Sequence, residues 1–347
     1  MKVVFRVDAS LEMGTGHIMR CLTLANELKQ QNHEIVFICR ELTGNLILLI
    51  KYPVLILPKN DDFQSDGLYL NWLGATQEKD AEQTIKAIPK NADLLIVDSY
   101  ALDEIWHKQL RPYTKKIMVI DDLADRKHSC DILLDQSFGR QQEDYRLLVP
   151  KSCELLLGSQ YALLRPEFAE WRQYSIERRK NPVFKELLIN MGGADTDNFT
   201  EQVLKELKEC DLPSDIKITV VMGETAPHLE SVRNSVDTLP YKTEIKVGID
   251  NMAEIMANAD IAIGAAGSTT WERCCLGLPT IQVIIAKNQE FSAKVLANHN
   301  VVKLLTEIKE VANLLNTPTD WMSGVSTSAA QICDGMGVYK VLSKFEG

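Results

Sequence analysis

The chain has 347 residues, 45% apolar and 25% charged, a globular balance with enough length for two α/β domains. A net charge of -10 disfavours nucleic acid and anionic membrane surfaces as partners, yet leaves room for a small anionic ligand held by backbone N–H groups. No apolar run approaches the roughly 20 residues of a membrane span, Arg6 and Asp8 break what would be a signal peptide's apolar middle, and eight scattered cysteines form no C-x-x-C pair. The expectation is a cytoplasmic monomer without membrane insertion, its cysteines buried and reduced.

In chain order, strands are predicted at Lys2–Asp8, Glu34–Cys39, Val54–Leu57, Leu94–Asp98, Ile117–Asp121 and Ile132–Asp135. Several are short continuous apolar runs, as in parallel strands buried on both faces. Ile18, Cys21, Leu22, Ala25 and Leu28 fall at helical spacing, and further helices fit around Ala75–Ile88 and Asp103–Leu110. Arg165–Pro182 is strongly charged, carries prolines at both ends and lacks a strand, so it reads as a partly helical connection. A second series follows, with strands at Leu187–Met191, Ile216–Met222, Glu244–Val247, Asp260–Gly264 and Thr280–Ile284. Helices lie between them near Asn198–Cys210, Ala226–Val236, Met252–Asn258 and Thr269–Leu276. The tail from Thr317 reads as one or two helices interrupted near Gly335 and Gly337. The expected organisation is a Rossmann-like domain over 1–164, a linker over 165–182, a second Rossmann-like domain over 183–317 and C-terminal helices over 318–347 that pack back on the first domain. Two such halves make a cleft, with ligands outside the carboxyl ends of the strands.

Three loops at those ends carry candidate chemistry. Gly14-Thr15-Gly16-His17 joins the first strand to the first helix. Glycines permit a tight turn there. The positive end of the helix favours a neutral His17 ring able to take a proton, although local capping or packing is the plain alternative. Asp8 can orient that imidazole. Met191-Gly192-Gly193-Ala194-Asp195 offers N–H groups for phosphate, together with the start of the next helix. Asp195-Thr196-Asp197 matches the D-x-D of metal-dependent sugar transferases, but it stands where a helix cap is wanted, so no metal is expected. The third loop, Gly264–Glu272, places Gly267, Ser268 and Thr269 at a helix start and Glu272 one turn on, where it can accept from ribose hydroxyls. Lys287 can face phosphate, and Asn288 and Gln289 can hydrogen-bond sugar or diphosphate. Tyr100, after the fourth predicted strand, points into the same cleft. Asp121, Asp122 and Asp125 read as a solvated loop. The set is a nucleotide-sugar signal.

Across nearly the whole chain the segments G-T-G-H-I-M-R-C, V-D-S-Y, Y-A-L-L-R-P-E-F, M-G-G-A-D, G-A-A-G-S-T-T-W-E and K-N-Q resemble one family. It is that of the UDP-2,4-diacetamido-2,4,6-trideoxy-β-L-altropyranose hydrolases of pseudaminic acid synthesis, similar in turn to the glycosyltransferase that makes lipid II. The resemblance implies a GT-B-type α/β fold, two Rossmann-like domains facing each other across a cleft. It also implies hydrolysis at C1–O without metal or other cofactor. On this resemblance His17 is the catalytic base and Tyr100 lies near the sugar; Gly14, Gly16 and Arg20, on and after the same glycine loop, are also expected in the substrate site. Gly192, Gly193, Gly267, Ser268, Thr269 and Glu272 contact the nucleotide. Ile249 (by its backbone) and Met252 (by packing) meet uracil, and Lys287, Asn288 and Gln289 lie toward diphosphate and sugar. A glycosyltransferase with another acceptor, or a non-catalytic nucleotide-sugar sensor, would share most of these residues.

Overall fold

The computed structural model describes residues 1–60 and 63–345. The chain divides into two compact units. The first runs from Met1 to Leu163 and takes up the chain again from Val338, and the second is Leu164–Gly337.

The first unit is built on seven parallel strands: β1 (Lys2–Val7), β2 (Glu34–Arg40), β3 (Val54–Leu57), β4 (Ala92–Asp98), β5 (Thr114–Ile120), β6 (Ile132–Asp135) and β7 (Glu154–Leu157). They lie in the order β3-β2-β1-β4-β5-β6-β7, so the winding reverses between β1 and β4. Helices α1 (Gly16–Gln30), α2 (Leu68–Leu73), α3 (Gln77–Ala87), α4 (Glu104–Leu110) and the single turn α5 (Gln142–Tyr145) connect them. Alternation along β1 shows the layering. Val3, Phe5 and Val7 join Ile18, Leu24 and Leu28 of α1 on one face, while Val4 meets Ile38, Leu95 and Trp106 on the other.

Arg6 shares the face of Val4 and is fully buried. Its guanidinium pairs with Asp8 at 2.7 Å and with Asp80 of α3 at 2.5 Å. Asp80 also takes Arg40 at 2.7 Å and the Trp106 indole N–H at 3.0 Å. Burial alone would raise the Asp80 carboxyl, and the two guanidinium groups lower it. Asp8 further accepts the Arg40 backbone N–H at 2.6 Å, so it serves this interior network.

The second unit repeats the plan with six parallel strands: β8 (Glu186–Asn190), β9 (Lys217–Met222), β10 (Lys242–Val247), β11 (Ile261–Ala265), β12 (Thr280–Val283) and β13 (Lys303–Leu304). Their order, β10-β9-β8-β11-β12-β13, is the same doubly wound one, reversing between β8 and β11. Its helices are α6 (Pro166–Arg178), α7 (Phe199–Leu207), α8 (Leu229–Val236), α9 (Met252–Asn258), α10 (Thr269–Cys275), α11 (Glu290–Asn298), α12 (Val311–Asn316) and α13 (Met322–Ile332).

The charged stretch read as a connection is the helix α6, and it packs within this unit. Its Arg172 binds the carbonyls of Cys275, Ala330 and Cys333, and Arg179, just past its end, binds those of Met256, Ala257 and Ala259. These basic groups meet carbonyls near the ends of other helices, where no intrahelical donor remains. α13 also belongs to the second unit, where Val325 is fully buried. The last helix, α14 (Gly337–Leu342), sends Val338, Val341 and Leu342 into the core of the first unit. No described helix is long and apolar enough to cross a membrane.

Asp80→Ala would leave Arg6 and Arg40 buried without their shared carboxylate. A loss of about 3–5 kcal/mol is expected in urea unfolding, and a loss under about 1 kcal/mol would show that the network is incidental.

Candidate active site

In parallel sheets every strand ends at the same edge, so the loops after β1 and β4 flank the crevice of the first unit. The loop after β1 folds on Ser10, whose carbonyl accepts the Gly14 N–H at 2.9 Å and whose hydroxyl accepts the Met13 N–H at 3.1 Å. Gly14 sits at φ +74°, a left-handed conformation that glycine adopts without strain. The chain then enters α1, with His17 as its second residue.

Asp98 ends β4, the strand paired with β1 across the switch point. His17 Nδ1 lies 2.6 Å from Asp98 Oδ1. The carboxylate is fully buried and also receives Arg20 Nε at Oδ2 and Arg20 Nη2 at Oδ1, both at 2.7 Å. Burial would raise the Asp98 carboxyl; Arg20 and His17 overcome this and hold it well below the usual carboxylate range. An ionised Asp98 accepts the Nδ1 proton, which fixes the tautomer and leaves Nε2 as the proton acceptor. Nε2 has no hydrogen-bond partner among the described residues. His17 is buried, with the residue 6% exposed.

Asp98 thus occupies the position in which Asp8 was expected, since Asp8 is taken by Arg6 and Arg40. Arg20 also departs from expectation. Its remaining nitrogen, Nη1, lies 3.3 Å from Asp122 and the side chain is buried, so it braces Asp98 where a substrate contact was expected. Tyr100 donates its hydroxyl to Asp122 at 2.6 Å and sets its ring edge-on to His17, centroids 4.8 Å apart. The acids after β5 are no solvated loop. Asp121 is buried, accepting the N–H groups of Leu123 and Ala124 and pairing with Arg126 at 2.7 Å, and Asp122 joins Arg20 to Tyr100. Of this group Asp125 is the exposed one.

In the second unit the loop after β8 turns at Gly192, φ +93°. Gly193 packs so closely on Gly223, at the end of β9, that a side chain at 223 would strike the Gly193 carbonyl. Asp195 accepts the N–H groups of Phe199 and Thr200, both at 2.8 Å. This is the capping role; it removes those two amides of α7 from any phosphate and leaves the D-x-D acid committed to backbone.

After β11, Arg273 is the buried brace. It donates to the Ala265 carbonyl at 2.7 Å and to the hydroxyls of Thr269 and Thr270 at 3.0 and 3.2 Å. Burial lowers its guanidinium to about 10. Ser268 makes no capping bond with its hydroxyl. Lys287, Asn288 and Gln289 form a short helical turn after β12, and the Gln289 side-chain amide reaches the loop at Gly267 while accepting the Ile285 N–H at 3.1 Å. Ile249 and Met252, half-buried, follow β10 on the same edge. Gly16 opens α1 in the first unit.

Glu272 is half-buried, and its carboxylate has no hydrogen-bond or ion-pair partner among the described residues. Burial pushes it up to about 7, opposed by Arg165 and Arg273. A partnerless acid with a displaced pKa beside a loop of small residues is a functional signature.

Two Rossmann-like α/β units with this strand order and these carboxyl-edge loops define a protein of the GT-B type. MurG of Acinetobacter baumannii shares the fold with a TM-score of 0.65 at 19% identity, over 100% of this chain and 99% of that one. Residues 187–328 match the glycosyltransferase family 28 C-terminal domain. The uncharacterized protein MJ1062 of Methanocaldococcus jannaschii is 29% identical over 81% of the chain, which spans about half (55%) of that protein. The UDP-2,4-diacetamido-2,4,6-trideoxy-beta-L-altropyranose hydrolase of Campylobacter jejuni is 30% identical over 86% of this chain and 96% of its own length. The chain belongs to the family of that hydrolase.

Because the folded Glu272 binds its proton more tightly than an unfolded one of ordinary value 4.5, stability contributed by this group falls as pH rises from about 4.5 to about 7. Glu272→Gln is expected to melt higher than wild type at pH 8, the difference vanishing toward pH 4.5. Equal melting temperatures at pH 8 would contradict the displaced carboxyl.

Proposed function

We propose that the protein hydrolyses a UDP-2,4-diacetamido-2,4,6-trideoxy sugar at C1–O, releasing UDP and the free sugar. The observation that carries this reading is the buried Asp98–His17 pair at the switch point of the first sheet. It presents one imidazole nitrogen committed to a carboxylate and the other open. Family membership supplies the substrate class.

In the proposed reaction His17 Nε2 takes a proton from water as the water oxygen bonds to C1. The C1–O bond to the β-phosphate breaks on the opposite face, inverting the anomeric carbon, and UDP leaves with the electron pair. Asp98 stabilises the imidazolium that forms and keeps the ring in register, as carboxylates do for imidazole bases elsewhere. Backbone N–H groups at Gly192, Gly193 and the Gly267–Thr269 turn meet charge on the leaving diphosphate. Glu272 accepts from the ribose hydroxyls, a ligand that favours its ionised form, while Ile249 and Met252 receive uracil. Asp195 is tied to α7, which takes one of the two D-x-D acids from any metal, and in this reading the reaction runs without a cation.

The match of residues 187–328 to a glycosyltransferase domain keeps a transferase as the second reading, because the same loops would hold its donor. UDP release that is slow in water and accelerates on addition of an acceptor would favour it.

His17→Ala should lower turnover by about 10²–10⁴-fold, the usual contribution of a general base, with UDP affinity kept. Asp98→Asn should cut kcat by about 10²-fold or more with UDP affinity likewise kept. Near-normal kcat in either variant, measured by UDP release, would remove this pair from the mechanism. Turnover should persist in EDTA; a loss restored by Mg²⁺ would overturn the cation-free reaction.

A further inference from the structure

Beside His17 stands an aromatic group that the proposed chemistry leaves unused. α2 is one and a half turns long, and its Tyr69 and Trp72, three residues apart, lie on one face. Tyr69 is 5.1 Å from both Trp72 and Tyr100, centroid to centroid, and Trp72 is 6.1 Å from Tyr100. Tyr100 in turn touches His17 at 4.8 Å. Rings therefore run without a gap from α2 to the catalytic imidazole.

The two tryptophans of this unit that lie in and near the sheet's helical layer are treated differently. Trp106 is fully buried and gives its indole N–H to Asp80 at 3.0 Å, as a core tryptophan should. Trp72 is half-buried, and its indole N–H has no partner among the described residues. Leu73, its neighbour, is 1% exposed and anchors the helix, so the core does not require Trp72. The partly open rings of Tyr69 and Trp72, one ring removed from the catalytic base, are suited to a ligand with an apolar face.

We infer that Tyr69 and Trp72, backed by the buried Tyr100, form a wall that receives the methyl groups of the sugar, and that this wall selects a 6-deoxy, acetamido-substituted hexose over one bearing a 6-hydroxyl. The inference rests on the hydrolase reading for the identity of the sugar. A 6-deoxy sugar carries a methyl on C5 and one on each acetamido group, all poorly hydrated, whereas a 6-hydroxyl set against a ring face, away from the indole N–H, would lose its water without a partner. A single small apolar group in a hydrophobic pocket changes discrimination by roughly 10–200-fold.

The test is calorimetric binding in the His17→Ala protein, whose turnover is slowed, with and without Trp72→Ala. The probes are UDP, UDP-N-acetylglucosamine and the UDP-2,4-diacetamido-2,4,6-trideoxy hexose. UDP affinity should stay within about threefold, and affinity for the trideoxy sugar nucleotide should fall at least about tenfold. UDP-N-acetylglucosamine should change far less, and Trp72→Phe should recover most of the loss. Thermal melts of each variant confirm that the protein remains folded. Equal weakening of all three probes, or of none, would overturn the wall and leave the rings as packing. Wild-type protein that binds the trideoxy sugar nucleotide yet releases no UDP from it would instead overturn the hydrolase reading, whatever the tryptophan does to affinity.

Discussion

The geometry of the first unit depends on one carboxylate. Asp98 sits at the end of a central strand with no exposure, and three side-chain nitrogens from a single turn of α1 converge on it. Strand pairing places Asp98 beside Val7 of β1, so the sheet fixes where α1 must start and which way its first turn must face. The arrangement is repeated along the edge. Asp8, Asp98, Asp121 and Asp135 stand at or just past the ends of β1, β4, β5 and β6, all buried, and each lies 2.7 Å from an arginine nitrogen. Buried ion pairs contribute little net stability, because desolvation offsets most of the attraction. Their consequence here is directional, since each holds a loop at the edge where a doubly wound sheet binds its ligand.

The second unit solves a different problem with the same means. Its loops must offer donors, so the groups that would otherwise compete are tied down. Asp195 is bound to two amides of α7, and Arg273 holds a carbonyl and two threonine hydroxyls beneath the β11 loop. Among the groups the proposed reading assigns to the nucleotide are the backbone of Gly192, Gly193 and Gly267, the Ser268 hydroxyl and the carboxylate of Glu272.

Most of the scaffold was legible because parallel strands covered on both faces read as continuous apolar runs. LLIVD and ILLD leave little choice. What was illegible depended on contacts far apart in sequence. β7 begins with an exposed glutamate at the sheet edge, and β13 is two residues long, too short for any periodicity. The charge of Arg165–Pro182 suggested a connection, yet Arg172 and Arg179 are turned to carbonyls of helices supplied by residues 256–333. His17 was marked by its place after a glycine turn. Asp98 was not, because it lies 81 positions away and becomes its neighbour only through the strand order. The aspartate that ends LLIVD was the available signal, and Asp8 drew it away by being nearer in sequence. Asp121 misled for the opposite reason: in IDD two adjacent acids look solvated, and the first of them is buried.

Two acids given roles in the proposed chemistry, Asp98 and Glu272, show how environment separates like groups. Asp98 is surrounded by a guanidinium and an imidazole, and its proton is held off far below neutrality. Its charge is therefore permanent, as orienting a base requires. Glu272 is half-buried with no hydrogen-bond or ion-pair partner among the described residues, and burial pushes it up to about 7. Its ionised form awaits donors, which no described residue supplies. Environments that drive the pKa values of two carboxylates apart separate a structural charge from one reserved for a ligand. The same separation explains why the second unit tolerates a destabilising acid in a loop of small residues. A protein partner for Glu272 would improve the fold and close the position that a ribose is proposed to take.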